Sequence, residues 1–140
     1  MRDDRRGNSF TAVQRSLVTP LDRCAEPQVD ASRVDSVGAS MIGVDEAVDL
    51  AETFRLLGDP TRVQILFALL EAGELCVCDI AAVVDTTDTK VSQAMRLLRG
   101  AGVVRNRRSG RNIYYRLDDD HVRLLLDLSR EHRSHGVDGR

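Results

Sequence analysis

Asp119, His121, His132 and His135 bring every histidine of the chain together with a carboxylate near its C-terminal end. Imidazole nitrogen and carboxylate oxygen form a ligand set that suits Zn²⁺. An amphipathic helix is predicted over about 119–134. On it, His121 and His132 lie eleven residues apart, about 1100° of rotation and some 20° from a whole number of turns. They share a face but stand about 16 Å apart along the axis. Zinc–ligand bonds of about 2.0–2.2 Å cannot bridge that separation. Two antiparallel copies of the helix can. Asp119 and His121 of one copy would meet His132 and His135 of the other, giving two four-ligand sites per homodimer. The plainer alternative is three solvent-exposed histidines near a fraying chain end.

A second constellation is Cys76-Val77-Cys78-Asp79. Thiols at i and i+2 where a helix begins can reach one ion through the non-helical turn, and a helix N-terminus stabilises thiolate. Cys24 offers a third sulfur. Three thiolates favour soft ions such as Cd²⁺, Pb²⁺ or trivalent arsenic, while buried structural cysteine is the competing fate. A disulfide between i and i+2 is geometrically awkward, which ranks a thiol redox switch below metal capture. Three cysteines are also too few for a disulfide scaffold, and the expected compartment is a reducing cytoplasm.

The elements that must position these groups can be read from periodicity. Residues 1–40 show no sustained period and are expected to form a flexible arm with at most one short helix. A DNA-binding and dimerisation domain is expected over 41–135, with a disordered tail at 136–140. Ala47, Leu50, Phe54 and Leu57 mark a first helix that Gly58 ends. Asp59 caps the next and Pro60 opens it, with Val63, Leu66, Leu69 and Leu70 as its buried stripe. A short helix over about 77–84 leads through the turn at 85–88 to another ending at Gly100, with Val91, Met95 and Leu98 inward. Val103-Val104-Arg105 and Ile113–Leu117 read as strands around a turn at 107–112. Val122, Leu125 and Leu128 are apolar positions of the last helix.

Helix, short helix, turn, helix and hairpin is the order of a winged helix-turn-helix, a mainly α fold with a small β-hairpin (α+β). The second helix of that motif enters the major groove, and here it carries Thr89, Lys90, Ser92, Gln93, Arg96 and Arg99. The hairpin carries Arg107, Arg108 and Arg111. Formal net charge is −2, yet Thr87–Arg116 holds eight basic residues and one acid, a net +7 against about −9 elsewhere. A local positive field on an acidic body is what phosphate docking requires.

The stretch Glu74-Leu75-Cys76-Val77-Cys78-Asp79-Ile80 resembles the ELCVCDL motif of the ArsR/SmtB family of metal-responsive repressors. Leu57-Gly58-Asp59-Pro60-Thr61-Arg62 is similar to its LADPTR segment, and Ser109-Gly110-Arg111 with Tyr114-Tyr115 to its wing. The likeness covers about residues 45–135. It implies a homodimer that represses a metal efflux or resistance operon and releases double-stranded operator DNA when Zn²⁺, Cd²⁺ or Pb²⁺ binds as effector, with no organic cofactor. It also implies a C-terminal intersubunit zinc site at Asp119, His121, His132 and His135. A thiolate site like that of the cadmium- and lead-sensing CadC branch would fall at Cys24, Cys76 and Cys78, the arm crossing to the other protomer. This chain has one arm cysteine where that branch carries two, so coordination is expected either to stop at three sulfurs or to recruit an oxygen such as Asp22 or Asp79. Ala94 stands where the family usually has leucine, read as a shortened side chain near the DNA face. A redox- or arsenite-sensing repressor of the same fold is the alternative.

Other classes fit poorly. With 42% hydrophobic and 30% charged residues, no apolar run approaches the roughly 18 residues of a membrane span. The basic residues of Met1–Arg6 precede no apolar stretch, which argues against a secretory signal. No HExxH, GxSxG or glycine-rich phosphate loop is present, so an enzyme is not expected.

Overall fold

The computed structural model describes residues 22–137, in two compact units that divide between Met41 and Ile42. In the first, helix α1 (Ala31–Gly38) starts at Asp30, whose carboxylate accepts a hydrogen bond from the Arg33 amide at 3.1 Å. Of the flexible arm expected over 1–40 and the disordered tail expected over 136–140, residues 1–21 and 138–140 lie outside the described residues, while residues 136 and 137 close the last helix, Asp120–Val137.

The second unit runs α2 (Val44–Leu57), α3 (Pro60–Ala72), β1 (Leu75–Cys76), α4 (Val77–Val84), α5 (Asp88–Gly100), β2 (Val104–Ser109), β3 (Asn112–Leu117) and α6 (Asp120–Val137). Its boundaries have local causes. The Asp59 carboxylate accepts from the Arg62 amide at 3.0 Å, and Pro60 comes next, at a position where a missing N–H costs nothing. Asp85 adopts a left-handed conformation (φ 56°) to stop α4, and the Thr87 hydroxyl caps α5 by accepting from the Lys90 amide at 3.2 Å. These two residues turn α4 into α5, forming the helix-turn-helix.

The sheet is antiparallel with strand order β1-β3-β2. The hairpin strands reach further than alternation alone predicts: Arg107, Arg108 and Ser109 lie within β2, and Ser109 pairs with Asn112. The turn is therefore the two residues Gly110-Arg111. Gly110 has φ +61° and Arg111 does not, as in a type II′ turn. Strand β1 is too short to show a period in the sequence; Leu75 pairs with Tyr115 and Cys76 with Tyr114.

Ile65, Leu66 and Leu69 of α3, Ile80 of α4, and Val91, Met95 and Leu98 of α5 are fully enclosed, closed over by Val103, Val104, Tyr115, Leu117 and Leu126. This corrects several expectations. Val63 is 36% exposed and Ile65 takes its place in the stripe. Leu50 and Phe54 of α2 are exposed, leaving Leu56 and Leu57 to touch the core. On α6, Leu126 is buried while Leu125 and Leu128 face outward with Leu124. Ala94 belongs to the core rather than the DNA face, because it lies three residues after Val91 and four before Leu98, on the inward side of α5. The helical period holds in each case; what differs is which of two apolar faces meets this unit's own core. Arg130 fastens α6 to α3, standing 5.1 Å from the Phe67 ring centroid and 3.5 Å from Glu71.

Ile65→Ala is expected to cost about 2–5 kcal/mol, as for other enclosed aliphatic side chains, and Val63→Ala about 0.5 kcal/mol or less. Urea unfolding at fixed protein concentration measures both; equal losses would contradict the observed facing of α3.

Candidate DNA-binding surface and metal-binding groups

With Val91, Met95 and Leu98 turned inward, Thr89, Lys90, Ser92, Gln93, Arg96 and Arg99 are all exposed. Asp88 in the first turn and Arg99 in the last lie where the helix macrodipole favours their charge. The helix thus offers short polar groups and cations on one face, suited to base edges and phosphates.

The basic side chains of the wing differ in their freedom. Arg105 donates to Asp118 at 2.6 Å. Arg107 forms a fork with Glu74: its Nε lies 2.9 Å from both carboxylate oxygens and Nη2 donates to Oε1. Its guanidinium also stands 4.7 Å from the Tyr114 ring centroid. The arginine's hydrogen bonds hold the Glu74 carboxyl below its ordinary pKa, and the pairing raises that of Arg107. Arg108 points to the other side of β2 and reaches only the Gly110 carbonyl, at 3.1 Å. Among the described residues, no ion pair involves Lys90, Arg96, Arg99, Arg108 or Arg111. Those five cations remain available for phosphates.

The candidate metal ligands lie at the two ends of α6, at Cys24 and at the β1–α4 junction. Asp119 caps α6: its Oδ1 accepts from the Val122 amide at 3.1 Å, while Oδ2 lies 3.6 Å from Nδ1 of His121. That amide bond, assisted by His121, keeps the Asp119 carboxyl below its ordinary pKa, so it stays ionised as a ligand must. His121 is 93% exposed at its side chain. His132 and His135 sit near the other end of α6, also exposed, with Nε2 of His135 3.6 Å from Glu131.

The cysteines are all free thiols. Cys24 is an exposed residue of the first unit. Cys76 ends β1 and is buried at 9% exposure, whereas Cys78, in the first turn of α4, is exposed. The Cys78 thiol donates to the Asp88 carboxylate at 3.6 Å. The nearby Asp88 charge, then that hydrogen bond, raise the thiol above its ordinary pKa. Among the described residues, no three His, Cys, Asp or Glu side chains gather closely enough to hold one ion. The donor chemistry nonetheless fits the two ion classes: nitrogen and oxygen on α6, sulfur at the β1–α4 junction. Sequence reasoning misses Glu74, Asp88 and Tyr114 as partners of these groups. Glu74 lies within the cysteine motif itself, but nothing local to the motif signals its distant arginine.

The profile of the arsR family of bacterial regulatory proteins matches residues 59–106, from the cap of α3 into β2. Over 128 residues the chain is 40% identical to the transcriptional repressor SmtB homolog of Synechocystis sp., spanning 91% of this chain and 94% of that protein. The chain belongs to the ArsR/SmtB family. Over 86 residues it is also 40% identical to the cadmium resistance transcriptional regulatory protein CadC homolog of Staphylococcus aureus, covering 61% of this chain and 71% of that one. Among solved structures, the antimony-specific transcriptional repressor AntR superposes with a TM-score of 0.62 at 33% identity, covering 69% of this chain and 86% of AntR. A homodimeric winged helix-turn-helix domain from Mycobacterium bovis gives 0.63 at 26% identity, over 71% of this chain and 94% of that one. As an ArsR/SmtB member, the chain is a metal-responsive, DNA-binding transcriptional regulator of winged helix-turn-helix fold, not an enzyme. No helix among its described residues is long and apolar enough to cross a membrane.

Asp88→Asn is expected to lower the Cys78 pKa, because it removes the charge that disfavours thiolate. The rate of Cys78 alkylation by iodoacetamide, followed against pH in a Cys24→Ser background, should then rise at lower pH than in the parent. An unmoved profile would show that Asp88 does not control the thiol.

Proposed function

We propose that this chain is a cytoplasmic repressor that binds a pseudo-palindromic operator as an apo homodimer and lets go when Zn²⁺, Cd²⁺ or Pb²⁺ binds, derepressing metal efflux or resistance genes. The observation that carries this reading is the outward face of α6. His121, Leu125, Leu128, His132 and His135 succeed one another at intervals of four, three, four and three residues, a stripe that stays on one side of a helix. Ligands stand at both ends and leucines between, with Leu128 53% exposed. On α2, Val44, Val48, Leu50 and Phe54 (60% exposed) add to the uncovered apolar surface. Large apolar side chains left open in this way mark a surface for association.

A second copy packed antiparallel on α6 covers the leucines and solves the ligand problem together. The midpoint between the two ligand sets falls near residues 126–128. A two-fold axis there sets Asp119 and His121 of one copy against His132 and His135 of the other, the N/O set appropriate to Zn²⁺. The similarity to proteins named as SmtB and CadC homologs supports the metal response, and Cys76 and Cys78 offer a separate thiolate pair suited to Cd²⁺ or Pb²⁺. Thr89, Lys90, Ser92, Gln93, Arg96 and Arg99 would read the major groove, with Arg108 and Arg111 on the flanking backbone. Two-fold symmetry spaces the half-sites by about 34–36 Å or its multiples. Ion binding must favour the low-affinity form, and by linkage DNA weakens ion binding by the same factor, typically about 5- to 150-fold.

Gel-shift titrations of the apo protein on its own promoter, with Zn²⁺, Cd²⁺, Pb²⁺ and arsenite, test this reading. Cys76→Ser or Cys78→Ser is expected to abolish release by Cd²⁺ and Pb²⁺ while apo binding persists; retained Cd²⁺ release in the double variant would refute the thiolate assignment. His121→Ala is expected to lose tight Zn²⁺ binding without changing the thiolate-to-metal absorption band. Unchanged zinc stoichiometry, or a monomer in sedimentation, would contradict the intersubunit site.

A further inference from the structure

The segment that carries the cysteines is a strand of the wing's own sheet. Cys76 pairs with Tyr114 across β1 and β3, Tyr114 lies under the Arg107 guanidinium, and Arg107 grips Glu74, two residues before Cys76. These contacts close a ring from Cys76 through the ladder, the aromatic ring and the carboxylate back to Cys76. We propose that Arg107 is a positioning residue that carries ion capture at Cys76 and Cys78 to the wing, and is not a phosphate contact. The inference rests on the thiolate half of the proposed function.

Three observations support it. Arg107 is the only wing arginine among the described residues engaged by both a carboxylate fork and an aromatic face, so reaching a phosphate would break both. A bidentate arginine–carboxylate pair fixes direction as well as distance, which a mobile surface cation does not. Third, Cys76 is buried while Cys78 is exposed. Closing both sulfurs on one ion therefore draws Cys76 outward and displaces the end of β1. A two-residue strand has no slack to absorb that displacement. Glu74 moves with it, and Arg107 passes the movement into β2 three residues from the turn that bears Gly110 and Arg111. The Cys78–Asp88 contact gives the same event a parallel connection to the first turn of α5.

The test uses the full chain and its promoter fragment, with Arg107→Met and Arg107→Lys beside the parent. Apo affinity is measured across a salt series, Cd²⁺ loading by the thiolate absorption band, and Cd²⁺-driven release by gel shift. Methionine retains length without charge, and lysine retains charge without the fork. Both variants are expected to keep the parent's Cd²⁺ band and salt slope, and to show a Cd²⁺-driven fall in operator affinity at least about fivefold smaller, the low end of typical couplings. The lysine variant separates the roles, since it preserves a phosphate contact but not the link, and it keeps the test open should the methionine variant fail to fold. A salt slope shallower by about 1.8 in the folded methionine variant, one contact of about 0.9 lost from each protomer of the dimer, identifies a phosphate contact and overturns the inference. So does Cd²⁺ release equal to the parent's in the lysine variant. A parent that binds DNA yet never releases it with Cd²⁺ overturns the thiolate reading itself, and the inference falls with it.

Discussion

The burial of Val91, Met95 and Leu98 fixes the rest of the molecule's surface chemistry. With three side chains of α5 fully enclosed against α3, α4 and the wing, the helix has one permitted rotation. A turn of a single residue, about 100°, would drive Ser92, Arg96 and Arg99 into an apolar interior, where an unpaired guanidinium is prohibitively costly. The polar and cationic face is thus what remains once the core is satisfied. Strand β2 begins at Val104, itself buried beside Val103, so the same core sets where the wing leaves the body of the unit.

Within that frame the charges are sorted rather than merely concentrated. Eight basic residues between Thr87 and Arg116 suggest a uniform positive patch when counted along the chain. Folded, Arg105 and Arg107 fall on one side of β2 and are neutralised by Asp118 and Glu74, while Arg108 takes the other. Arg105 stands opposite Arg116 in the ladder, a like-charged pair that Asp118 relieves. Part of the basic segment holds the wing in place and part is left for DNA.

Much of this is legible in the sequence, and what is not has specific causes. Asp59-Pro60 and the 85–88 turn announce helix ends through capping and left-handed geometry, which are local properties. The helix-turn-helix order, the wing and the family motifs can be read for the same reason. The facing of α2, α3 and α6 cannot, since each has apolar residues on two sides and only tertiary packing chooses between them. Ile65 and Leu126 won the core, while Phe54, Leu125 and Leu128 did not. Strand β1 and the Glu74–Arg107 fork depend on residues 33 apart in sequence, beyond any local pattern. The residues proposed as ligands can be named from type and spacing, whereas the unequal burial of the two thiols, Cys76 inside and Cys78 outside, appears only in the fold.

At Asp119 one side chain caps a helix and, in the site proposed above, would also bind an ion. One oxygen is committed to the Val122 amide that starts α6, and the other already leans toward His121. The carboxylate is therefore pre-oriented, and little conformational freedom is left to surrender on coordination. In the proposed site it would turn to the ion chiefly the oxygen that faces His121, since the other already accepts from the backbone. Helix nucleation and ligand geometry are written into the same three atoms, so neither can drift without the other.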